Sequence, residues 1–110
     1  MPLYMYQAAY TGESLASQLK NPQNRADAVG HAVCEAVGGT LVGSWYCFGE
    51  YDLALVADVP DNASMAAIAL AIAAGGAVKS AKTTVLMSGD EAVAGMKKAS
   101  AVTKIYKPAR

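Results

Sequence analysis

The segment Tyr51–Val59, YDLALVADV, constrains this chain more than any other, because it reads as a strand with two dry faces. Leu53, Leu55, Ala57 and Val59 point one way. Ala54 and Val56 point the other way, with charge only at Asp52 and Asp58. An antiparallel sheet packed on helices normally keeps one face wet. Helices can cover one of these faces; the other is a large apolar patch of the kind that marks an interface.

The flanking segments supply the rest of a sheet. Leu3–Tyr10 alternates, with Tyr4, Tyr6, Ala8 and Tyr10 on one face and Leu3, Met5, Gln7 and Ala9 on the other. Thr11-Gly12 ends that strand, and residues 14–20 suit a short helical segment. Asn21-Pro22 predicts the start of the first main helix, Asn21 as cap and Pro22 at the first helical position. Its stripe is Ala26, Val29, Val33, Cys34 and Val37, and Gly38-Gly39 stops it. Residues 40–48 form a strand predicted to place Leu41, Trp45 and Cys47 on one face and Val42, Tyr46 and Phe48 on the other. The turn Gly49–Asp52 joins it to the two-faced strand as a hairpin.

Pro60-Asp61-Asn62 opens a second helix, running to about Ala74 and closed by Gly75-Gly76. Its inward stripe is Met65, Ile68 and Ile72, yet its opposite side, Ala66, Ala67, Leu70, Ala71 and Ala74, carries no charge. A helix apolar all round is buried all round. Either the C-terminal helix and tail cover it or another subunit does. Residues 78–87 make a fourth strand, and Ser88-Gly89-Asp90-Glu91 reads as a capping box. The helix it opens is predicted to turn Val93 and Met96 inward. The order β-α-β-β-α-β plus a helix is the ferredoxin-like arrangement, an α+β fold with a four-stranded antiparallel sheet. At 110 residues the chain, 1–110, fits one domain.

Composition supports self-association and narrows the function. Apolar residues make up 54% and charged ones 16%, against roughly 25% charged in an average domain. Nine basic residues balance nine acidic ones, so binding driven by phosphate neutralisation is not expected, and no nucleic acid partner is assigned. The strand YDLALVADV also lacks the aromatic pattern of RNA-binding sheets. The apolar run Met65–Ala74 is too short for a bilayer, which takes about 20 residues, so no membrane partner is expected. The opening MPLYMYQAAYT lacks a basic leader, which makes the cytoplasm the expected compartment. Cys34 and Cys47 have no zinc-type spacing and read as two buried thiols, so no metal site is assigned.

The segment FGEYDLALVADVPDNASMAAIALAIAAGGAVKSAKTTVLM, with its Gly49-x-Tyr51-Asp52 turn, resembles the GYD-domain family. YQAAYT, Arg25, Gly38-Gly39, Pro60-Asp61 and Tyr106-x-Pro108 extend the resemblance along essentially the whole chain. The family is similar to the dimeric α+β-barrel proteins, so the resemblance implies two sheets facing each other in a homodimer or larger even-numbered oligomer. The wider superfamily holds cofactor-free monooxygenases, isomerases, cyclases and haem enzymes. The resemblance therefore names no single cofactor, and it supports an activity by fold analogy alone.

Candidate ligand-binding residues are Tyr6, Trp45, Tyr51 and Asp52. Tyr4, Tyr6, Tyr10, Trp45 and Tyr46 lie on two strands that, as neighbours, would line a pocket for a small apolar or aromatic ligand. Trp45 and Tyr46 must face opposite sides of the sheet. At the hairpin tip Asp52 suits a base or a ligand anchor with Tyr51 as wall. The alternative is structural: Gly49 supplies a special backbone angle and Asp52 bonds nearby amides. His31, between Asp27 and Glu35, reads as a solvated helix residue. Lys79 and Lys82 read as protection of an edge strand. Two functions fit: a homo-oligomeric small-molecule-binding protein, whose catalytic form would be a monooxygenase or isomerase, and a non-catalytic ligand-sensing or assembly module.

Overall fold

A computed structural model describes residues 1–110. The elements run β1 (Leu3–Tyr10), α1 (Gly12–Lys20), α2 (Arg25–Ala36), β2 (Thr40–Tyr46), β3 (Leu53–Asp58), α3 (Asn62–Ala74), β4 (Val78–Leu86) and α4 (Gly89–Thr103). The four strands form one antiparallel sheet in the order β2-β3-β1-β4. This is the expected α+β arrangement, and the short helical segment expected over residues 14–20 is α1, which starts two residues earlier.

Each helix starts at a side-chain cap. Thr11 Oγ1 accepts from Ser14 N at 3.0 Å for α1, Asp61 Oδ1 from Ser64 N at 2.8 Å for α3, and Ser88 Oγ from Glu91 N at 3.1 Å for α4. The start of α2 differs from the sequence expectation. Asn21 closes α1, its amide still bonded to the Gln18 carbonyl, and Asn24 caps α2 by accepting from Asp27 N. Pro22 lies in the short link between the two helices. Gly38, with φ +80°, ends α2 in the left-handed conformation that favours glycine.

The core lies between the sheet and α2 and α3. Tyr4, Tyr6, Ala8 and Tyr10 of β1 and Leu53, Leu55 and Ala57 of β3, continued by Val59, are buried there with Ala26, Cys34, Met65 and Ile68. The Tyr4 hydroxyl donates to Asn62 Oδ1, tying β1 to the start of α3. Gly30 lets α2 approach the sheet closely, because a Cβ there would meet Leu41 Cδ2 at 2.9 Å.

The faces of β2 depart from simple alternation. Its register on β3 shifts between Leu41 and Gly43, so Val42 is an extra, bulged residue. Leu41 pairs with Ala57 on the helix side, while Trp45 pairs with Ala54 on the open side. Leu41 and Trp45 therefore do not share a face, and Val42 is exposed rather than aligned with Tyr46. Nor are β1 and β2 neighbours, because β3 runs between them.

The open face carries two cross-strand rows. Trp45, Ala54, Gln7 and Lys82 form one; Gly43, Val56, Met5 and Thr84 form the next. The Trp45 ring lies over Gly43. No helix covers this face, as the strand pattern requires. Helix α4 is the main surprise: none of its residues is buried, and Val93 and Met96 are 47% and 70% exposed rather than inward-facing. The helix extends away from the sheet, so it has no surface of its own chain to pack against. The Cα radius of gyration, 17.3 Å, exceeds the about 13 Å of a compact chain of this size.

Candidate functional site

The helix side of the sheet holds a cavity of about 250 Å³ between β1, β3, α2 and α3. Val29, Val33, Leu53, Leu55 and Ile72 make its walls apolar. At one end stand Tyr10, Ser14 and Arg25, its only polar side chains. Alternation on β1 brings Tyr10 to this side, Arg25 is the first residue of α2, and Ser14 sits in the first turn of α1. Gly30 and Gly75 also line it.

Tyr10 also forms a wall of a second, more open cleft, shared with Leu15, Leu19, Pro22, Tyr46 and Asp52. Asp52 Oδ2 accepts from Tyr10 N at 2.9 Å, and Asp52 N donates to Ala8 O at 2.9 Å. The Tyr46 hydroxyl accepts from Ala26 N at 3.2 Å, in the first turn of α2. Burial pushes the Tyr10 phenol above its ordinary pKa; Tyr46, Asp52 and Tyr6 add to the rise, and the Arg25 guanidinium opposes it. Tyr10 is therefore a neutral hydrogen-bond donor across physiological pH.

The four residues singled out from sequence fall in different places. Tyr6 is fully buried on the helix side, its hydroxyl has no partner, and burial raises its pKa. Trp45 stands 56% exposed on the open face. Tyr51 lines a shallow hollow with Gln7, Cys47 and Lys82. Asp52 bonds the β1 backbone. Tyr6 and Trp45 are separated by the sheet, so one pocket of a single chain cannot hold both. Gly49 has no positive φ, so the turn does not draw on a special angle there.

The cavity residues missing from that set are Arg25 and Ser14. A detectable sign was present: an arginine in the first turn of a helix, without an acidic residue three or four positions on. Among other candidates, His31 is exposed with Nε2 3.7 Å from Asp27 Oδ1, as its helix spacing predicts. Cys34 is buried and Cys47 half-buried; both are free, and burial raises the Cys34 pKa. No three His, Cys, Asp or Glu side chains are grouped closely enough to hold a metal ion. No helix is long and apolar enough to cross a membrane.

Comparison with known proteins follows the fold. The crystal structure of TTHA0845 from Thermus thermophilus is similar with a TM-score of 0.53 at 18% identity, covering 81% of this chain and 96% of that one. The structure of FFRP-DM1 gives a TM-score of 0.49 at 13% identity, covering 79% of this chain and 100% of that one. At such identities the likeness is one of fold. No curated protein matches the sequence. The family model of the GYD domain matches residues 4–95, and the chain belongs to the GYD domain family.

Proposed function

We propose that this chain is a small-molecule-binding protein that works as a homo-oligomer, with its ligand in the cavity between the sheet and helices α2 and α3. The observation that carries the reading is the cavity itself: about 250 Å³ of apolar space with polar groups gathered at one end. Ligand sites combine apolar walls with a few convergent polar groups in this way. The volume lies just under the ~300–1,000 Å³ of sites for drug-sized molecules, which favours a small ligand. The lining offers no carboxylate, imidazole or thiol to take a proton, so the reading favours binding over turnover.

The oligomeric part of the proposal rests on uncovered apolar surface. Only 15 of 110 residues are buried in a chain that is 54% apolar. The open sheet face, the outer side of α3 with Leu70, and Met96, Ile105 and Tyr106 of the C-terminal arm are all exposed. A second copy offers surfaces of the same character, as a two-fold interface requires. Trp45 and Tyr51, on the open side, are then residues of the subunit interface. Asp52 supports the ligand site by fixing Tyr10, and Tyr6, buried on the same side of the sheet, belongs to the core and does not line the cavity.

Native mass spectrometry of the protein as purified tests the ligand reading. The expected result is an assembly retaining a small extra mass, and loss of that mass in Val33→Phe, which fills the cavity. Equal retention by both proteins would contradict the assignment.

A further inference from the structure

Resting on that cavity reading, we propose that the ligand is a small apolar carboxylate, its hydrocarbon body between α2, α3 and the sheet and its carboxylate among Arg25, Tyr10 and Ser14. Of all the side chains lining the cavity, Arg25 alone carries a charge. That charge is uncommitted. The two ion pairs of the chain are Met1 with Asp58 and Asp27 with His31, and neither involves Arg25. A guanidinium beside apolar walls, with no partner of its own, is matched by one anionic group.

The neighbouring groups are donors. Tyr10 is only 8% exposed, and its bond to Asp52 uses the backbone amide, which leaves the phenol free to donate into the cavity. Ser14 Oγ accepts from Gln18 Nε2 at 3.2 Å, so its own proton is also free. Helix α2 begins at Arg25, and its N-terminal end adds partial positive charge at the same spot. Of the acidic residues nearby, Asp52 is held by the Tyr10 amide and lines the adjacent cleft, and Glu13 lines the open polar hollow that Arg25 and Ser14 also border; neither lines this cavity or pairs with Arg25.

The charge count selects the anion. One guanidinium balances a monoanion such as a carboxylate. A phosphate dianion would enter an apolar cavity with charge left over, at a large desolvation cost. The apolar walls in turn select a ligand whose remaining atoms are hydrocarbon or aromatic.

The test compares two probes of one shape, benzoate and benzamide. Each is titrated into the intact protein while the methyl resonances of Val29, Val33 and Ile72 are followed by NMR. The expected result is that both probes shift these methyls and benzoate binds about ten-fold tighter, the advantage of a charge-assisted bond over a neutral one. Arg25→Gln is expected to abolish that preference, so that benzoate and benzamide bind alike; Arg25 is exposed, so the variant keeps the fold. Equal binding of the two probes at the cavity methyls would overturn the carboxylate assignment and leave the cavity reading standing. Methyls unmoved by either probe at millimolar concentration would overturn both.

Discussion

Asp52 and Tyr10, 42 residues apart in sequence, are joined where the Asp52 carboxylate accepts the Tyr10 backbone amide at 2.9 Å. The bond sits at the end of β1, just beyond its last partner on β3, and sets the position of a side chain that walls both the cavity and the cleft. Asp52→Ala is expected to cost about 1.5–3 kcal/mol, the scale of a hydrogen bond to a charged group. Asp52→Asn keeps an acceptor oxygen and is expected to cost less. Urea unfolding of both variants checks the order; equal costs would show that the acceptor at residue 52 does not matter.

Gly38 and Gly39 are adjacent and needed for different reasons. Gly38 has φ +80° with open space around it, so Gly38→Ala is expected to cost about 1–2 kcal/mol of backbone strain. A Cβ on Gly39 would run into the Asp58 carbonyl and Val59, which are backbone and core and cannot yield cheaply. Gly39→Ala is expected at the upper end of the about 1–3 kcal/mol of overpacking or beyond. Asparagine tolerates the left-handed conformation, so Gly38→Asn is expected to recover part of the loss while Gly39→Asn recovers none. Thermal and urea unfolding of the four variants distinguish the two causes.

Tyr4 and Tyr6 alternate with Met5 on β1 and are both buried, yet only the Tyr4 hydroxyl has a partner. Tyr4→Phe is expected to destabilise by about 0.5–1.5 kcal/mol, leaving the Asn62 side chain to water. Tyr6→Phe removes an unpaired buried hydroxyl and is expected to be neutral or stabilising by up to about 1 kcal/mol. Equal losses for the two variants, measured by urea unfolding, would mean that the Tyr6 hydroxyl has a partner in solution.

The cap of α3 sets a pH dependence. The Ser64 hydroxyl, and then its amide, hold the Asp61 carboxyl below its ordinary pKa. A depressed folded-state value means that the ionised cap contributes stability fully above the unfolded value of about 3.9. That contribution is lost as pH falls through the lower folded-state value. Carboxyl NMR titration is expected to give Asp61 a midpoint below that of an unstructured aspartate, and Ser64→Ala is expected to raise it. An unshifted Asp61 would contradict the cap geometry.

Much of this was legible in the sequence, and the failures have identifiable causes. The alternation of Leu53, Leu55, Ala57 and Val59 gave the strand and its buried face, because period-2 patterns survive without tertiary knowledge; Ala54 and Val56 lie on the opposite face, which no helix covers and which also carries Gln7, Lys82 and Thr84. The bulge at Val42 left no comparable trace. One inserted residue flips every side chain on one side of it, and Val42 is as apolar as its neighbours. Asn21 and Asn24 both suit a cap, and the choice fell to which one the α1 helix had already used. The cavity was the least legible feature. Tyr10, Ser14 and Arg25 share its end only because α1 and α2 fold back beside β1, a relation between separate elements that no local spacing encodes.

The central claim is that one copy of this chain leaves its open sheet face and C-terminal arm for a second copy to cover. Val93, Met96, Val102, Ile105 and Tyr106 are exposed on that arm, and α4 buries none of its own residues. Sedimentation equilibrium of the intact chain across micromolar concentrations tests this most directly. The expected result is an even multiple of the chain mass, shifting toward the single-chain mass in Met96→Glu and Ile105→Glu while the far-UV spectrum is retained. A wild-type protein that sediments at the mass of one chain throughout would contradict it.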